Sequence, residues 1–279
     1  MKAIIHDMCM YRRLKIDPTS KLQTRNNKLV EKLYNLNLIN IQEKNKLTSR
    51  TALAPRIYGF PKIHKEDTTL KLICSSINAL SYHLCKYMVK ILKNITKDSK
   101  YNVKDTVDFK ANIRNITIDN DEVLVSFDVV SLFPSIPINL PFRTIENKWE
   151  EIEKYTNIPR EIFKELLTVY MKDSKYFKYD DKLYEQLRGM PMGSPASPII
   201  ADIVMEELLN DTFDKMMDKV KFNENVSVNL QSSNHVHVGT FEFNLHHNIP
   251  ISAINKPSSA TLSNTYTINN NLSFQTHSL

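Results

Sequence analysis

Cysteine is scarce in this sequence: Cys9, Cys74 and Cys85 are odd in number, widely spaced and form no Cys-x-x-Cys pair. That pattern argues against a disulfide framework and a thiolate zinc site, and makes a reducing, intracellular setting (nuclear or cytoplasmic) the expectation. No stretch approaches the ~18 consecutive apolar residues of a membrane span. The opening residues, Met1-Lys2-Ala3-Ile4-Ile5-His6-Asp7, lack the apolar run of a signal peptide. Only four glycines occur, and two of them, Gly189 and Gly193, fall within five residues. Aspartate is absent after Asp218, and residues 221–279 carry just four charged side chains, Lys221, Glu224, Glu242 and Lys256.

What is present supports one substantial core, or a domain with a subdomain, in 279 residues. The 37 Lys and Arg outnumber the 31 Asp and Glu, for a net charge of +6. Such a surplus suits a polyanionic partner, although a mild excess of lysine also simply keeps a chain soluble. Because the four charges of 221–279 cancel, the whole surplus sits in residues 1–220. The last 59 residues instead hold eleven Asn, nine Ser, five Thr and five of the eight His. Their best alternations, Val226-Ser227-Val228 and Phe241-Glu242-Phe243, last only a few residues. Burial on that scale offsets little of the ordering entropy of about 1–2 kcal/mol per residue, so 221–279 is expected to be a poorly ordered tail.

The body reads as α+β. Leu29, Val30, Leu33, Tyr34 and Leu36 recur at helical spacing, as do Leu80, Leu84, Tyr87, Met88, Ile91 and Leu92. The β-branched and aromatic run Val123 to Val130 predicts a strand. Pro159 stands as a first-turn proline before Ile162, Phe163, Leu166, Leu167 and Tyr170. Asp180-Asp181 between Tyr176–Tyr179 and Leu183-Tyr184 is a hairpin signal. Pro198 opens a last helix through Ile199, Ile203, Val204, Glu207 and Leu208.

Three segments bear chemistry. In Phe127-Asp128-Val129-Val130-Ser131-Leu132-Phe133-Pro134-Ser135-Ile136-Pro137, a carboxylate ends a strand; it either caps the next turn or binds a metal, since a buried carboxylate must be paired. In Gly189-Met190-Pro191-Met192-Gly193-Ser194-Pro195-Ala196-Ser197-Pro198, two glycines either serve a plain connector or bring the backbone close to a ligand. No Gly-Lys-Ser/Thr follows, so this is not a P-loop. In Ile57-Tyr58-Gly59-Phe60-Pro61-Lys62-Ile63-His64-Lys65, followed by Lys71-Leu72-Ile73-Cys74-Ser75-Ser76, the cations form either a solvated face or a triphosphate cradle.

In order and spacing these strings, "YGxPKIHK", "FDVxSLFxSIP" and "GxPMGSPxSPxxAD", resemble the reverse transcriptase domain of Penelope-like retroelements, related to telomerase reverse transcriptase. The resemblance runs from Asp17-Pro18-Thr19-Ser20-Lys21-Leu22-Gln23 to about Glu206. It implies right-hand polymerase fingers and palm with an antiparallel palm sheet: a helical segment over 1–50, fingers and palm over 51–220, and the tail over 221–279. It further implies an RNA template, a DNA primer, dNTP and Mg²⁺ or Mn²⁺. Asp128 would be the catalytic metal carboxylate, with the Val129 carbonyl as a second ligand. Lys62, Lys65 and Lys71, the backbone of Ser131 and Leu132, the sugar-sensing Phe133, and Gly193-Ser194 would face the nucleotide.

Two departures qualify that reading. The family's Arg-Pro-Ile-Val string is here Lys71-Leu72-Ile73-Cys74, and Lys lacks the bidentate fork of Arg. The family's Tyr–x–Asp–Asp hairpin, which follows the "GSP" helix and supplies the second metal carboxylate, has no counterpart after Asp218, and the family's C-terminal nuclease module is also missing. Tyr179-Asp180-Asp181 precedes the "GSP" segment, so Asp180 and Asp181 are weak substitutes, as are Asp202 and Glu206 on the following helix. His235, His237, His246 and His247 have a spacing a metal could use, but only Glu242 lies among them as a further ligand type. The expectation is a reverse transcriptase by family, truncated before its second metal motif and inactive as written. The alternatives are a non-catalytic nucleic-acid-binding remnant, or an unstable fragment whose tail comes from a shifted reading frame.

Overall fold

The computed structural model describes residues 5, 7–61, 70–77, 79–97, 99, 101, 105–114, 122–129, 132–216, 227–228, 239–244, 264–268 and 272–278. The fold is α+β, in two compact units: Met1–Ile95 with Phe133–Ala201, and Thr96–Leu132 with Asp202–Leu279.

In the first unit a five-stranded sheet has the order β1-β6-β5-β2-β3, from β1 (Tyr11–Leu14), β2 (Arg56–Pro61), β3 (Leu70–Ser75), β5 (Tyr176–Tyr179) and β6 (Lys182–Gln186). The pairs are antiparallel except β2 with β5, joined at Arg56 and Lys178. Alternation decides which side chains turn inward: Ile57 and Cys74, opposite one another, join Tyr11, Phe177 and Tyr184 in one buried cluster. There Tyr11 meets Phe177 edge-on at 5.6 Å, while Phe177 and Tyr184 stack at 5.9 Å.

The helices of this unit follow their apolar stripes. Helix α1 (Thr19–Asn35) buries Leu29, Val30 and Leu33, and the Asp17 carboxylate accepts from the Thr19 amide at its start. Leu36, expected to extend that stripe, stands past the helix end and is 50% exposed. Helix α2 (Ile41–Leu47) opens with a reciprocal Asn40–Glu43 capping box. Helix α3 (Tyr82–Thr96) buries Leu84, Cys85, Met88, Ile91 and Leu92. Helices α5 (Leu132–Ser135), α6 (Asn139–Asn147), α7 (Trp149–Ile152) and α8 (Arg160–Thr168) follow in chain order. Pro159 takes the N-cap of α8 rather than its first helical position. A π-turn over Val169–Asp173 prolongs α8 and carries Asp173 to the guanidinium of Arg25 at 3.1 Å. Burial raises the Asp173 carboxyl above its ordinary value, an effect Arg25 opposes. Helix α9 (Ser197–Met216) starts one residue before Pro198.

The second unit holds α4 (Thr106–Ile113), N-capped by the Asp105 carboxylate, and the later part of α9. Its antiparallel sheet has the order β7-β8-β4-β10-β9, with β4 (Glu122–Val129) central. The flanking strands come from the Asn/Ser-rich segment: β7 (Ser227–Val228), β8 (Gly239–Asn244), β9 (Asn264–Ile268) and β10 (Leu272–Ser278). Strands β7 and β8 lie where that segment alternates best. The rest of 221–279, to which the expectation of a poorly ordered tail also applies, lies outside the described residues.

Phe163 is wholly buried, its ring 5.5 Å from that of Trp149. Phe163→Ala is expected to destabilise the protein by about 3–5 kcal/mol, read as a lowered urea midpoint with unchanged slope.

Candidate nucleotide-binding and catalytic site

The loop from Gly189 to Pro195 is built by two backbone approaches that a side chain would prevent. At Gly189, φ is +73°, and a Cβ would lie 2.5 Å from Pro134 Cα and 2.6 Å from the Phe133 carbonyl oxygen. Beside it the Met190 amide donates to the Phe133 carbonyl at 2.9 Å. At Gly193, φ is again +73°, and a Cβ would stand 1.7 Å from the Cys74 carbonyl oxygen. The Ser76 hydroxyl then donates to the Gly193 carbonyl at 2.5 Å. The three segments singled out in the sequence are therefore joined at two points: Phe133 meets Gly189-Met190, and the Cys74–Ser76 end of β3 meets Gly193.

The loop is also held from within by side-chain hydrogen bonds, among them those of Gln186, which the sequence analysis did not single out. Gln186, the buried last residue of β6, donates through Nε2 to the Arg188 carbonyl at 2.6 Å and the Met190 carbonyl at 2.8 Å. Its Oε1 accepts from the Met192 amide at 3.3 Å. Ser197 donates to the Pro191 carbonyl at 2.5 Å, which leaves Tyr170 as the donor in their 2.9 Å hydroxyl pair. Burial pushes the Tyr170 phenol far above its ordinary value, so it stays a donor at any accessible pH. Ser194 is buried and its hydroxyl accepts from the Ala196 amide at 3.4 Å. A polar residue ending a strand reads in sequence as surface; only its three loop partners reveal Gln186.

The remaining candidates fall as follows. Asp128 and Val129 are the last two residues of β4, opposite Gln275 and Phe274 of β10. Leu132 and Phe133 are half-buried in the short helix α5, while Ser131 lies outside the described residues. Lys71 is in β3 opposite Phe60; Lys62 and Lys65 lie outside the described residues, as do His235, His237, His246 and His247. Asp180 and Asp181 form the two-residue turn of the β5–β6 hairpin, with φ of +48° and +55°, a type I′ geometry. The Asp181 carboxylate is nearly fully exposed and pairs with Lys178 at 2.9 Å, which lowers its pKa. Asp202 and Glu206 lie along α9, and burial raises the Asp202 carboxyl to about 7.

Two chemistries are limited by this arrangement. Burial lifts the Cys74 thiol to about 12 and the Cys85 thiol to about 11, so neither is a thiolate near neutral pH. Two-cation phosphoryl transfer needs ions held about 3.5–4 Å apart by shared carboxylates. The residue facing Asp128 across the ladder is the amide Gln275, and the acidic register position Glu242 lies opposite Leu124, four residues along the strand. At about 3.4 Å per residue that separation exceeds what a shared cation spans. Among the described residues no three His, Cys, Asp or Glu side chains gather where a metal could sit. The described register position opposite Asp128 supplies no carboxylate.

A family model for reverse transcriptase (RNA-dependent DNA polymerase) matches residues 26–228. The chain belongs to the reverse transcriptase family. RNA-dependent DNA polymerase is the activity by which that family is described, and the match spans both β4 and the two-glycine loop. No curated protein matches the chain. Among solved structures it is similar to apo telomerase from Candida tropicalis truncated from its C-terminal domain, at 14% identity and TM-score 0.47, over 68% of this chain and 43% of that one. It is also similar to telomerase from Candida albicans in complex with a TWJ fragment of telomeric RNA, at 14% identity and TM-score 0.44, over 77% and 42%. Apo telomerase from Candida tropicalis matches at 11% identity and TM-score 0.46, over 88% and 47%. The chain spans less than half the length of these telomerases. Among the described residues, no helix is long and apolar enough to cross a membrane.

Gly193→Ala forces a Cβ onto the Cys74 carbonyl in a left-handed conformation and is expected to cost about 3 kcal/mol or more, measured by urea denaturation. Asp202 tests the effect of burial with a definite sign. Its folded pKa of about 7 lies above the ordinary 3.8, so ionisation penalises the fold increasingly from pH 4 to 7 and constantly above. Asp202→Asn is therefore expected to leave the unfolding free energy unchanged near pH 3 and raise it above pH 7 by an amount on the order of a few kcal/mol, read by urea denaturation at the two pH values.

Proposed function

We propose that the chain is the fingers and palm portion of a Penelope-like, telomerase-related reverse transcriptase from a retroelement. Residues 51–220 carry that portion, 1–50 precede it as a helical segment, and 221–279 follow as an Asn/Ser-rich tail. RNA template, DNA primer and dNTP are its partners. The observation that carries this reading is the two-glycine loop closed onto both Phe133 and β3, within the family match. In this reading Phe133 senses the sugar, the Ser131-Leu132 backbone and Lys62, Lys65 and Lys71 face the triphosphate, and Gly193-Ser194 borders the nucleotide. Asp128 is the family's catalytic carboxylate and, with the Val129 carbonyl, its ligand toward Mg²⁺ or Mn²⁺.

The same chain is incomplete for catalysis. Gln275 opposite Asp128 supports this inference, because an amide cannot replace the second carboxylate. A role confined to nucleic-acid binding is the second reading, and the same position favours it.

Primer extension on an RNA template with Mg²⁺ or Mn²⁺ is the deciding measurement. No extension is expected from this chain. Extension that disappears in Asp128→Asn would show the chain to be competent. Asp180→Asn and Asp181→Asn would then reveal whether the hairpin turn supplies the missing carboxylate.

A further inference from the structure

Helix α1 gathers cations on one side. Arg25, Lys28 and Lys32 recur at i, i+3 and i+7, a stripe about 10 Å long. Facing it is α8 with its π-turn, and between them runs a groove of about 290 Å³ lined by these cations, Glu165, and the edges of Leu29 and Val169. Both ends of the stripe are pinned. Arg25 pairs with Asp173, whose side chain is only 5% exposed, and Lys32 pairs with Glu165 at 2.5 Å. Lys28, between them, is exposed and has no ion pair or side-chain hydrogen bond among the described residues. The one acidic residue of α1, Glu31, is engaged by Lys44 of α2 at 2.7 Å, which leaves the charge of the stripe standing.

We propose that this groove binds the di- or triphosphate group of a small molecule, laid along α1 with Lys28 at its centre. A guanidinium held to Asp173 through one nitrogen keeps further N–H donors for an anion, and a pinned cation has less freedom left to lose on binding. The length of the stripe favours a chain of phosphates, since a lone phosphate reaches Lys28 and one neighbour. The volume lies at the lower end of the roughly 300–1,000 Å³ of small-molecule sites. Glu165 bounds the groove at its Lys32 end, where its carboxylate opposes a longer polyanion continuing past that point. None of the lining residues belongs to β3, β4 or the two-glycine loop. Three side chains supply the positive charge, so the site requires neither Asp128 nor a metal cation.

Isothermal titration calorimetry of the full chain tests it, at low salt and with EDTA present, so that no metal complex at Asp128 contributes. Inorganic phosphate, pyrophosphate, tripolyphosphate, ATP and adenosine are the probes. Affinity is expected to rise from phosphate to tripolyphosphate, to fall with added salt, and to be undetectable for adenosine. ATP bound as tightly as tripolyphosphate would identify the phosphate chain as all that is recognised; ATP bound about ten-fold tighter would identify a nucleotide. Lys28→Gln is expected to weaken tripolyphosphate about five-fold, and Lys28→Arg to retain it. Glu165→Gln removes the repelling carboxylate and frees Lys32, so it should tighten binding about three-fold. Lys28 and Glu165 are both exposed, and an unchanged urea midpoint checks that their variants fold. Unchanged affinity in Lys28→Gln or in Glu165→Gln, an equal loss in Lys71→Gln, or no binding by the wild-type chain would each overturn the site. So would a 12-nucleotide RNA whose affinity falls in Lys28→Gln as far as that of tripolyphosphate, because the occupant would then be a nucleic-acid strand.

Discussion

The close approach of Gly193 to the Cys74 carbonyl constrains everything around the candidate site. A backbone contact too tight for any Cβ fixes the loop on β3 by shape alone, and a left-handed φ makes glycine the residue that meets both demands at no steric cost. With that point fixed, the Ser76 hydroxyl reaches the Gly193 carbonyl, and Gln186 has its loop partners within reach. The second glycine repeats the device on the other side, against Phe133 and Pro134. The loop is therefore positioned by main-chain contacts at both ends, and its side chains are free to be selected for what they face.

This arrangement was legible in the sequence only in part. The two glycines stood out because glycine is otherwise rare, and their prolines marked the entry to a helix. Asp180-Asp181 declared its hairpin because the strands on either side are aromatic enough to pair locally. The apolar stripes of α1, α3 and α8 were equally direct, since burial there follows helical spacing. What stayed hidden depended on distant partners. β1, Tyr-Arg-Arg-Leu, has no strand signature of its own and is a strand because β6 pairs with it from more than 170 residues away. The parallel join of β2 to β5 at a single residue pair leaves no local pattern at all.

The second sheet illustrates the same limit from the opposite side. β4 was readable as a strand from its composition, but its neighbours β8 and β10 come from a segment whose composition argues against order. Their residues alternate over spans short enough to be dismissed individually, yet β4 offers a complete ladder on each side, which a short alternating segment can join. Consequently the chemical surroundings of Asp128 could not be read from its own motif. They depend on which strand supplies the opposite register position, and that position carries Gln275.

The departure at Lys71-Leu72-Ile73-Cys74 also has a physical account once β3 is seen as an edge strand. A proline at the second position of that string has no N–H, which is tolerable where the donor would face outward; Leu72 instead lies opposite Gly59 and packs partly buried against the core cluster. Cys74 occupies a site for a small apolar side chain, and burial holds its thiol protonated, so it serves as packing rather than as a nucleophile. What Gly193 requires of this position is its carbonyl backbone, which a valine and a cysteine present alike. The exchange at 71 differs in kind, because it replaces a forked cation by a point charge at the register position opposite Phe60. Of the three changes, this one bears on ligand geometry, while the other two preserve the strand on which the loop rests.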